Sequence, residues 1–456
     1  MKKKRLIKLI LTIVILLAAA LWIKSKYTVW FGNSPEPPYS PLEMPGRVLL
    51  TFGNEDELSR NVSWQCDSVL VPSHLLLVDS EQQDTLTIPA EGEVFQSRSG
   101  KMAYYVARLR NLRPGRNYSY QVCNDTKCSD WYNFKTQDSS NQDDYAFLYI
   151  GDVQDTLQGK AGEFLQEAVR KHTDTQFLVF GGDIAERPMD KYWNEVFSEL
   201  DSIGQHYPVL NITGNHDFLK GISYVNERRF PLIFSYFLDS MEDGNLVYTL
   251  KYNDLQLFLL DSTRLLSLWD QKQWLKKALE KSTARWKVVV LHHPLYSIRG
   301  KYNNYMQRLA FNSLIQEYGV DLVLQGHEHA YARMTNKDAS GVPTTPVYTV
   351  SHCSPKNYQI SFDERFDKYG ISSRYYQRIH VHKDTMTVVT YDVNTKQVYD
   401  SLDIVKSEAM PVLIDYGKDI PEFLEYTPTP GRKKDFKFQE RIEQYKQNIK
   451  QNKGQN

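Results

Sequence analysis

Five times between residues 151 and 329, an apolar run of strand length stops abruptly at a short cluster of small and metal-binding residues. The clusters are Gly151-Asp152-Val153-Gln154, Gly182-Asp183-Ile184-Ala185-Glu186, Gly214-Asn215-His216-Asp217, His292-His293-Pro294 and Gly326-His327-Glu328-His329. Strands are expected ahead of them at 146–150, 176–180, 208–212, 287–291 and 321–324, with two more at 246–250 and 256–260. Helical stretches fill 162–171, 190–203, 270–281 and 305–318. Strands alternating with helices make a layered α/β domain. In such sheets the carboxyl ends of the strands line the ligand crevice, so the five clusters should meet at one edge. A glycine ahead of a ligand lets the backbone turn sharply as it leaves the strand.

The converging side chains are carboxylate, amide and imidazole, with no thiolate, a donor mix that suits Mn, Fe or Zn. Two carboxylates, one Asn amide and three imidazoles are too many for one catalytic ion and right for two. A pair of ions about 3.5–4 Å apart can clamp a phosphoryl group and acidify a bridging water. One cluster alone carries little, because Gly-Asp after a strand is common and a lone buried His is usually structural. Five in order, all at strand ends, are another matter.

The 456 residues suffice for two or three domains, at roughly 100–200 residues each. The formal charge of zero hides an asymmetry. Residues 1–26 carry seven Lys/Arg and no acid, and 432–456 carry eight basic and three acidic residues, which leaves 27–431 with 40 basic against 52 acidic. A body that acidic is not an electrostatic nucleic-acid binder. Four cysteines exclude a disulfide scaffold and any CxxC-type zinc module.

Lys2-Lys3-Lys4-Arg5 precede a nearly unbroken apolar run from Leu9 to Ile23, closed by Lys24 and Lys26. Positive charge ahead of the run keeps the start cytoplasmic and sends the body across the membrane. Two readings stand for residues 1–26. An uncleaved anchor needs about 20 apolar residues, reached if Leu6 and Ile7 join while Lys8 snorkels. A removed signal peptide would be cut near Ala18-Ala19-Ala20, although Leu21, Trp22 and Ile23 continue the run. Residues 27–46 contain five prolines and read as an extended, semi-rigid spacer holding the body off a membrane. Short strands between polar turns over 47–136 suggest a small antiparallel sandwich, with examples at 48–52, 61–64, 75–78, 103–109 and 118–123. Cys123 and Cys128 flank a plausible hairpin loop, which leaves a bridge and two free thiols both open. The catalytic domain is expected over 143–405. A strap and a basic helix follow over 406–456, with Phe438, Ile442, Tyr445 and Ile449 as a thin apolar stripe for docking on the body.

The five clusters resemble the motifs of calcineurin-like metallophosphoesterases, and residues 145–395 are most similar to purple acid phosphatases. Supporting phrases are Gln273-Trp274-Leu275, Val290-Leu291-His292-His293-Pro294-Leu295-Tyr296 and Gly326-His327-Glu328-His329-Ala330-Tyr331-Ala332-Arg333. Leu109-Arg110-Asn111-Leu112-Arg113-Pro114-Gly115 resembles the turn into a late strand of fibronectin type III domains, and a fibronectin-like domain ahead of the catalytic one is that family's arrangement. The resemblance implies a layered β-sandwich flanked by helices behind a small all-β domain. It implies a phosphomonoesterase of acid phosphatase type, acting on a small phosphorylated substrate through a metal-bridging hydroxide. A phosphodiesterase or nucleotide pyrophosphatase is the alternative within enzymes, and a scaffold with a degenerate metal site is the alternative outside them. Carried over by position, Asp152 and His329 hold the first divalent ion, Asp183 bridges, and Asn215, His292 and His327 hold the second. His216 is the group that hydrogen-bonds the phosphoryl oxygen or protonates the leaving group, with Asp217 to orient it. His293 is supporting structure.

The sequence also departs from the family. Purple acid phosphatases place a metal-binding Tyr three residues after the bridging Asp, where this chain has Glu186. Gln154 occupies the place of a ligating His in many metallophosphoesterases, and its amide oxygen is expected to complete the first site. The paired histidines that the family carries after the fourth motif fall at Lys301 and Tyr302. Arg299 and Lys301 are expected in a solvated loop, with substrate phosphate as the alternative contact.

Overall fold

Seven parallel strands set the position of everything else. The computed structural model describes residues 2–53, 57–82, 84–138, 143–221, 225–226, 229–236, 246–300, 302–408 and 410–453. Asp144–Ile150, Thr175–Phe180 and Val209–Asn211 run parallel in one seven-stranded sheet, which continues antiparallel through Tyr375–His382, Thr385–Asp392, Val398–Val405 and Val412–Asp415. In the second seven-stranded sheet, Leu255–Leu260, Trp286–Leu291, Leu322–Gln325 and Pro343–Val350 are parallel. Tyr248–Tyr252, Tyr331–Lys337 and Lys368–Gly370 join it antiparallel.

The central strands of the second sheet are apolar at consecutive positions because both faces are covered. Leu257, Leu259, Val288, Val290, Leu322 and Leu324 enter the core shared with the first sheet. Their neighbours Phe258, Leu260, Val289, Leu291 and Val323 face the helices Leu268–Lys281 and Tyr305–Glu317. The fold is therefore a β-sandwich flanked by helices, as the resemblance implied, and a layered α/β domain, as the alternation did. The later strands, from Tyr331 to Asp415, were not individually legible. Apart from the parallel Pro343–Val350 they are half-polar and antiparallel, and they lack the long apolar runs of the earlier parallel strands.

Residues 46–135 form an antiparallel sandwich ahead of this domain. The 12-residue strand Thr85–Gln96 belongs to both of its halves, pairing with Ser73–Asp79 up to Pro89 and with Lys101–Leu109 from Ala90 onward. Cys123 and Cys128 are bridged, while Cys66 and Cys353 are free and buried. The sandwich is not a separate bead. Leu49, Phe52, Phe95, Met102 and Tyr104 belong to the same core as the first catalytic sheet, and Phe52 meets the rings of Phe177 and Tyr252 edge-on at 5.5 and 6.1 Å. Tyr120 Oη donates to the Gln205 carbonyl at 2.8 Å. At the far end, Lys433–Lys453 is helical and buries Phe438 and Ile442 against Leu424 and Ile360, with Tyr445 stacked on Phe362 at 4.4 Å.

The N-terminal helix runs from Lys2 to Phe31, past the expected end at residue 26, and is exposed from Lys4 to Trp30. The proline-rich segment after it departs from the expectation of a free spacer. Asn33 exchanges two hydrogen bonds with the Lys220 backbone, and Ser34 accepts from Arg98 and Arg187. Glu36 is buried, pairs with fully buried Arg229 at 3.0 Å and accepts the Asp190 N–H at 2.6 Å. A carboxylate with a buried guanidinium partner pulls the segment onto the body, where proline's preference alone would have left it standing clear.

Breaking a buried pair leaves an uncompensated charge. Glu36→Leu should cost about 3–5 kcal/mol in denaturant unfolding of the full chain. Glu36→Leu with Arg229→Met should recover a large part of that loss. A loss under about 1 kcal/mol would mean that the segment contributes no more than an exposed pair.

Candidate metal centre

All seven parallel strands deliver their following loops to one edge, and the two sheets are stitched together there. The Cys353 N–H donates to the Gly151 carbonyl at 2.8 Å, His292 Nδ1 to the Gly181 carbonyl at 2.8 Å, and the His327 N–H to Asp152 Oδ2 at 2.6 Å. The first and last clusters, 175 residues apart, thus share a hydrogen bond. The approach is close enough to require glycine. A Cβ on Gly326 would collide with the Asp152 carboxylate, and one on Gly214 with that of Asp183. Asp152, Gln154, Asp183, His327 and His329 all have φ between 34° and 72°, the left-handed region that a side chain enters at a cost of order 1–3 kcal/mol.

Donor atoms of Asp183, His292 and His327 all lie within 4.8 Å of one another. His292 Nε2 stands 3.2 Å from Asp183 Oδ2 and 3.9 Å from Asp152 Oδ1, and His329 Nε2 stands 3.5 Å from Asp152 Oδ1. Asp152 Oδ1, Gln154 Oε1 and Asn215 Oδ1 are buried and have no hydrogen-bond partner among the described residues. Buried oxygens of this kind are expensive unless something satisfies them. Together with the imidazoles of His292, His327 and His329 at the same edge, these oxygens make a donor set that fits a pair of divalent cations, so the residues present suit the group that the sequence implied.

The structure brings all eight sequence-selected residues to this edge. Gln154 stands over the Asp183 carboxylate, its Nε2 3.2 Å from Asp183 Oδ2. Asp183 Oδ1 accepts the His216 N–H at 2.6 Å. Burial works against the Asp183 charge, and the imidazoles of His292 and His216 outweigh it, holding the carboxyl below its usual range. For His292 burial opposes the cation, and the carboxylates of Asp183 and Asp152 reverse that, raising it to about 10. Metal binding here competes with a proton.

Three imidazoles are aimed by main-chain oxygens. His292 Nδ1 faces the Gly181 carbonyl at 2.8 Å, His329 Nδ1 the Lys356 carbonyl at 2.9 Å, and His216 Nδ1 the Glu186 carbonyl at 2.7 Å. Each contact commits Nδ1 and leaves Nε2 free for the site. Asp217 does not orient His216 as the sequence suggested. Its Oδ2 accepts the N–H groups of Asp183 and Gly214 at 2.9 and 2.8 Å, because the tight turn needs an acceptor inside it. Burial and the adjacent Asp183 charge push Asp217 up to about 8.

Glu186 also supplies an ion pair, its Oε1 2.7 Å from Lys356 Nζ. One salt bridge therefore joins the two segments whose carbonyls hold His216 and His329. His293 is buried behind His327, with ring centroids 4.3 Å apart, and is bonded through Nδ1 to Ser262 Oγ at 3.1 Å. Burial and then His292 hold it down to about 3, as a neutral supporting ring.

Sequence reasoning missed several contributors. Tyr358 stacks on His329 at 4.1 Å and His352 stacks beside it at 5.2 Å, while Arg299, which the sequence did single out, is exposed and lies over Tyr358 at 4.6 Å. Glu328 accepts from Ser297 Oγ at 2.5 Å and from the Ile298 N–H at 2.6 Å, fixing the loop that carries Arg299. Only the alternation of Glu328 between two ligating histidines offered a signal. Lys301 lies outside the described residues.

Known proteins match this arrangement. Residues 145–331 match the calcineurin-like phosphoesterase family and residues 45–136 the purple acid phosphatase N-terminal domain. Probable purple acid phosphatase 20 of Arabidopsis thaliana is 25% identical over 323 residues, covering 66% of this chain and 71% of that one. The phosphoenolpyruvate phosphatase of Allium cepa is 24% identical over 319 residues, 63% of each chain. The Fe(3+)-Zn(2+) purple acid phosphatase 12 of Arabidopsis thaliana is 25% identical over 209 residues, 41% of this chain and 43% of its own. Among solved structures, a purple acid phosphatase from yellow lupin (Lupinus luteus) seeds superposes with a TM-score of 0.68 at 16% identity, covering 86% of this chain and 78% of its own.

Gly326→Ala should leave the protein folded and reduce bound metal at least tenfold, measured by elemental analysis. Full metal content in that variant would mean that the close approach to Asp152 is not needed.

Proposed function

Because the chain belongs to the calcineurin-like phosphoesterase superfamily and carries the N-terminal domain of purple acid phosphatases, we propose that it hydrolyses phosphate monoesters at the edge where Asp152, Asp183 and His292 converge. The observation that carries this reading is the set of buried oxygens of Asp152, Gln154 and Asn215, without a partner among the described residues, on the loops whose neighbours bring donor atoms of Asp183, His292 and His327 within 4.8 Å of one another. Asp152, Gln154 and His329 would hold one ion, Asn215, His292 and His327 the other, and Asp183 would serve both. Once bound, the two ions neutralise phosphoryl charge and acidify a water.

The chain's own residues do the rest. With Nδ1 committed to the Glu186 carbonyl, His216 Nε2 presents a lone pair when neutral and a proton when charged. That change serves proton transfer to the leaving oxygen. Arg299, exposed and stacked over Tyr358, supplies a cation for the substrate's phosphate at the lip of the site. Glu186, held by Lys356, replaces the phenolate of the family pattern, so the protein should be colourless and served by Mn or a similar divalent ion.

We further infer membrane attachment. Lys4–Phe31 is long and apolar enough to cross a bilayer, with a mean hydropathy of 2.7 over its most apolar window and none of that window buried. Lys2-Lys3-Lys4-Arg5 would keep its start cytoplasmic and the body outside.

His216→Ala should keep both metals and slow turnover of an aryl phosphate by roughly 10²–10⁴, whereas Asp183→Asn should lose metal and activity together. Metal loss in His216→Ala would contradict the division of roles, and visible absorption from a phenolate band would contradict the reading of Glu186.

A further inference from the structure

The docked proline-rich segment brings the end of the apolar helix to the mouth of the metal site. Lys220 Nζ donates to the Val29 carbonyl at 3.1 Å, and the Lys220 backbone pairs with Asn33. Lys220 is four residues past His216. Arg187, which donates to Ser34 at 2.8 Å, directly follows Glu186. Only Lys24–Thr28 separate the apolar run from the Val29 contact, about 8 Å of helix, and Tyr27, Trp30 and Phe31 around that contact suit a membrane–water boundary.

The same edge of the fold exposes large apolar side chains where none is needed for packing. Leu265, Leu266 and Trp269 follow the strand Leu255–Leu260, with Leu266 82% exposed. Tyr302, Tyr305 and Met306 follow the strand Trp286–Leu291, with Tyr302 80% exposed. The two groups are one surface. Gln307 Nε2 donates to the Ser262 carbonyl at 3.0 Å, and the Ser262 hydroxyl holds His293 beside the site. The Arg264 guanidinium reaches the Phe218 ring at 5.8 Å, which connects this surface to the Phe218–Lys220 segment and so to the helix end. An apolar patch beside a bilayer tether has an evident occupant.

We propose that this rim is seated in the headgroup layer of the membrane that the helix crosses, and that the site takes its phosphoryl groups from amphiphiles in that membrane. The proposal rests on the membrane-attached reading given above. Lys24, Lys26 and Lys220 lie at the depth where anionic headgroups would meet them.

The test places one spin label per molecule on the full chain in phosphatidylcholine–phosphatidylglycerol vesicles, since Cys66 and Cys353 are buried. Leu266→Cys should report a lipid-like depth by oxygen against aqueous-nickel accessibility. Val342→Cys, 54% exposed just before the start of the parallel strand Pro343–Val350 and so at the opposite edge, should report water. Ile13→Cys reports the helix itself. Lipid-like Ile13 with water-like Leu266 overturns the seated rim alone, and water-like Ile13 overturns both it and the membrane attachment beneath it. For the substrate class, Leu266→Glu with Trp269→Glu should lower hydrolysis of vesicle-borne phosphatidic acid at least tenfold and leave a soluble aryl phosphate unchanged. Equal loss on both substrates, or loss on neither, rejects the amphiphile.

Discussion

The site depends on a backbone constraint before it depends on any side chain. Ligands from two sheets have to meet within a few ångströms, so the main chain must reverse immediately as each strand ends. Asp152, Asp183, His327 and His329 accept left-handed backbone to do so. Such geometry persists only where the surroundings over-determine it. Here the surroundings are seven parallel strands whose centres are fully buried, together with hydrogen bonds that cross from one sheet to the other at Gly151, Gly181 and Asp152. The rigidity of the sandwich is what makes a strained edge affordable.

Upon that frame, orientation is delegated largely to carbonyl oxygens. Gly181, Glu186 and Lys356 each fix one imidazole through its Nδ1, and the side chains of the last two pair with each other. The arrangement couples the histidine assigned to proton transfer with a histidine assigned to metal binding through a single half-exposed ion pair. Where the family pattern places a tyrosine, this chain has Glu186, salt-bridged to Lys356.

The residues that meet at the edge were legible in the sequence because Asp, Asn and His declare their chemistry, and because each stands at the end of an apolar run. The parallel strands were legible for the same reason, being buried on both faces. The orienting groups were not legible, since a carbonyl oxygen belongs to every residue and leaves no mark at Gly181 or Lys356. Asp217 misled for a related reason. Its type suggested a partner for His216, while the turn it sits in needed an acceptor for two N–H groups. The strand Thr85–Gln96 was hidden by Pro89 and Gly92, which ordinarily argue against a strand. The docking of Glu36 depended on Arg229, nearly 200 residues away, and no local pattern reports such a pairing.

The aromatic seam at Phe52, Phe177 and Tyr252 bears on how this protein can be divided. Two domains joined by a linker can be exchanged, duplicated or lost as modules. Here the small sandwich contributes Leu49, Phe52, Phe95, Met102 and Tyr104 to the catalytic domain's own core. Removing it would strip one wall from the sheet that carries Asp152 and Asp183. The pair is modular in sequence and monolithic in mechanics, and the unit on which selection acts is the two together.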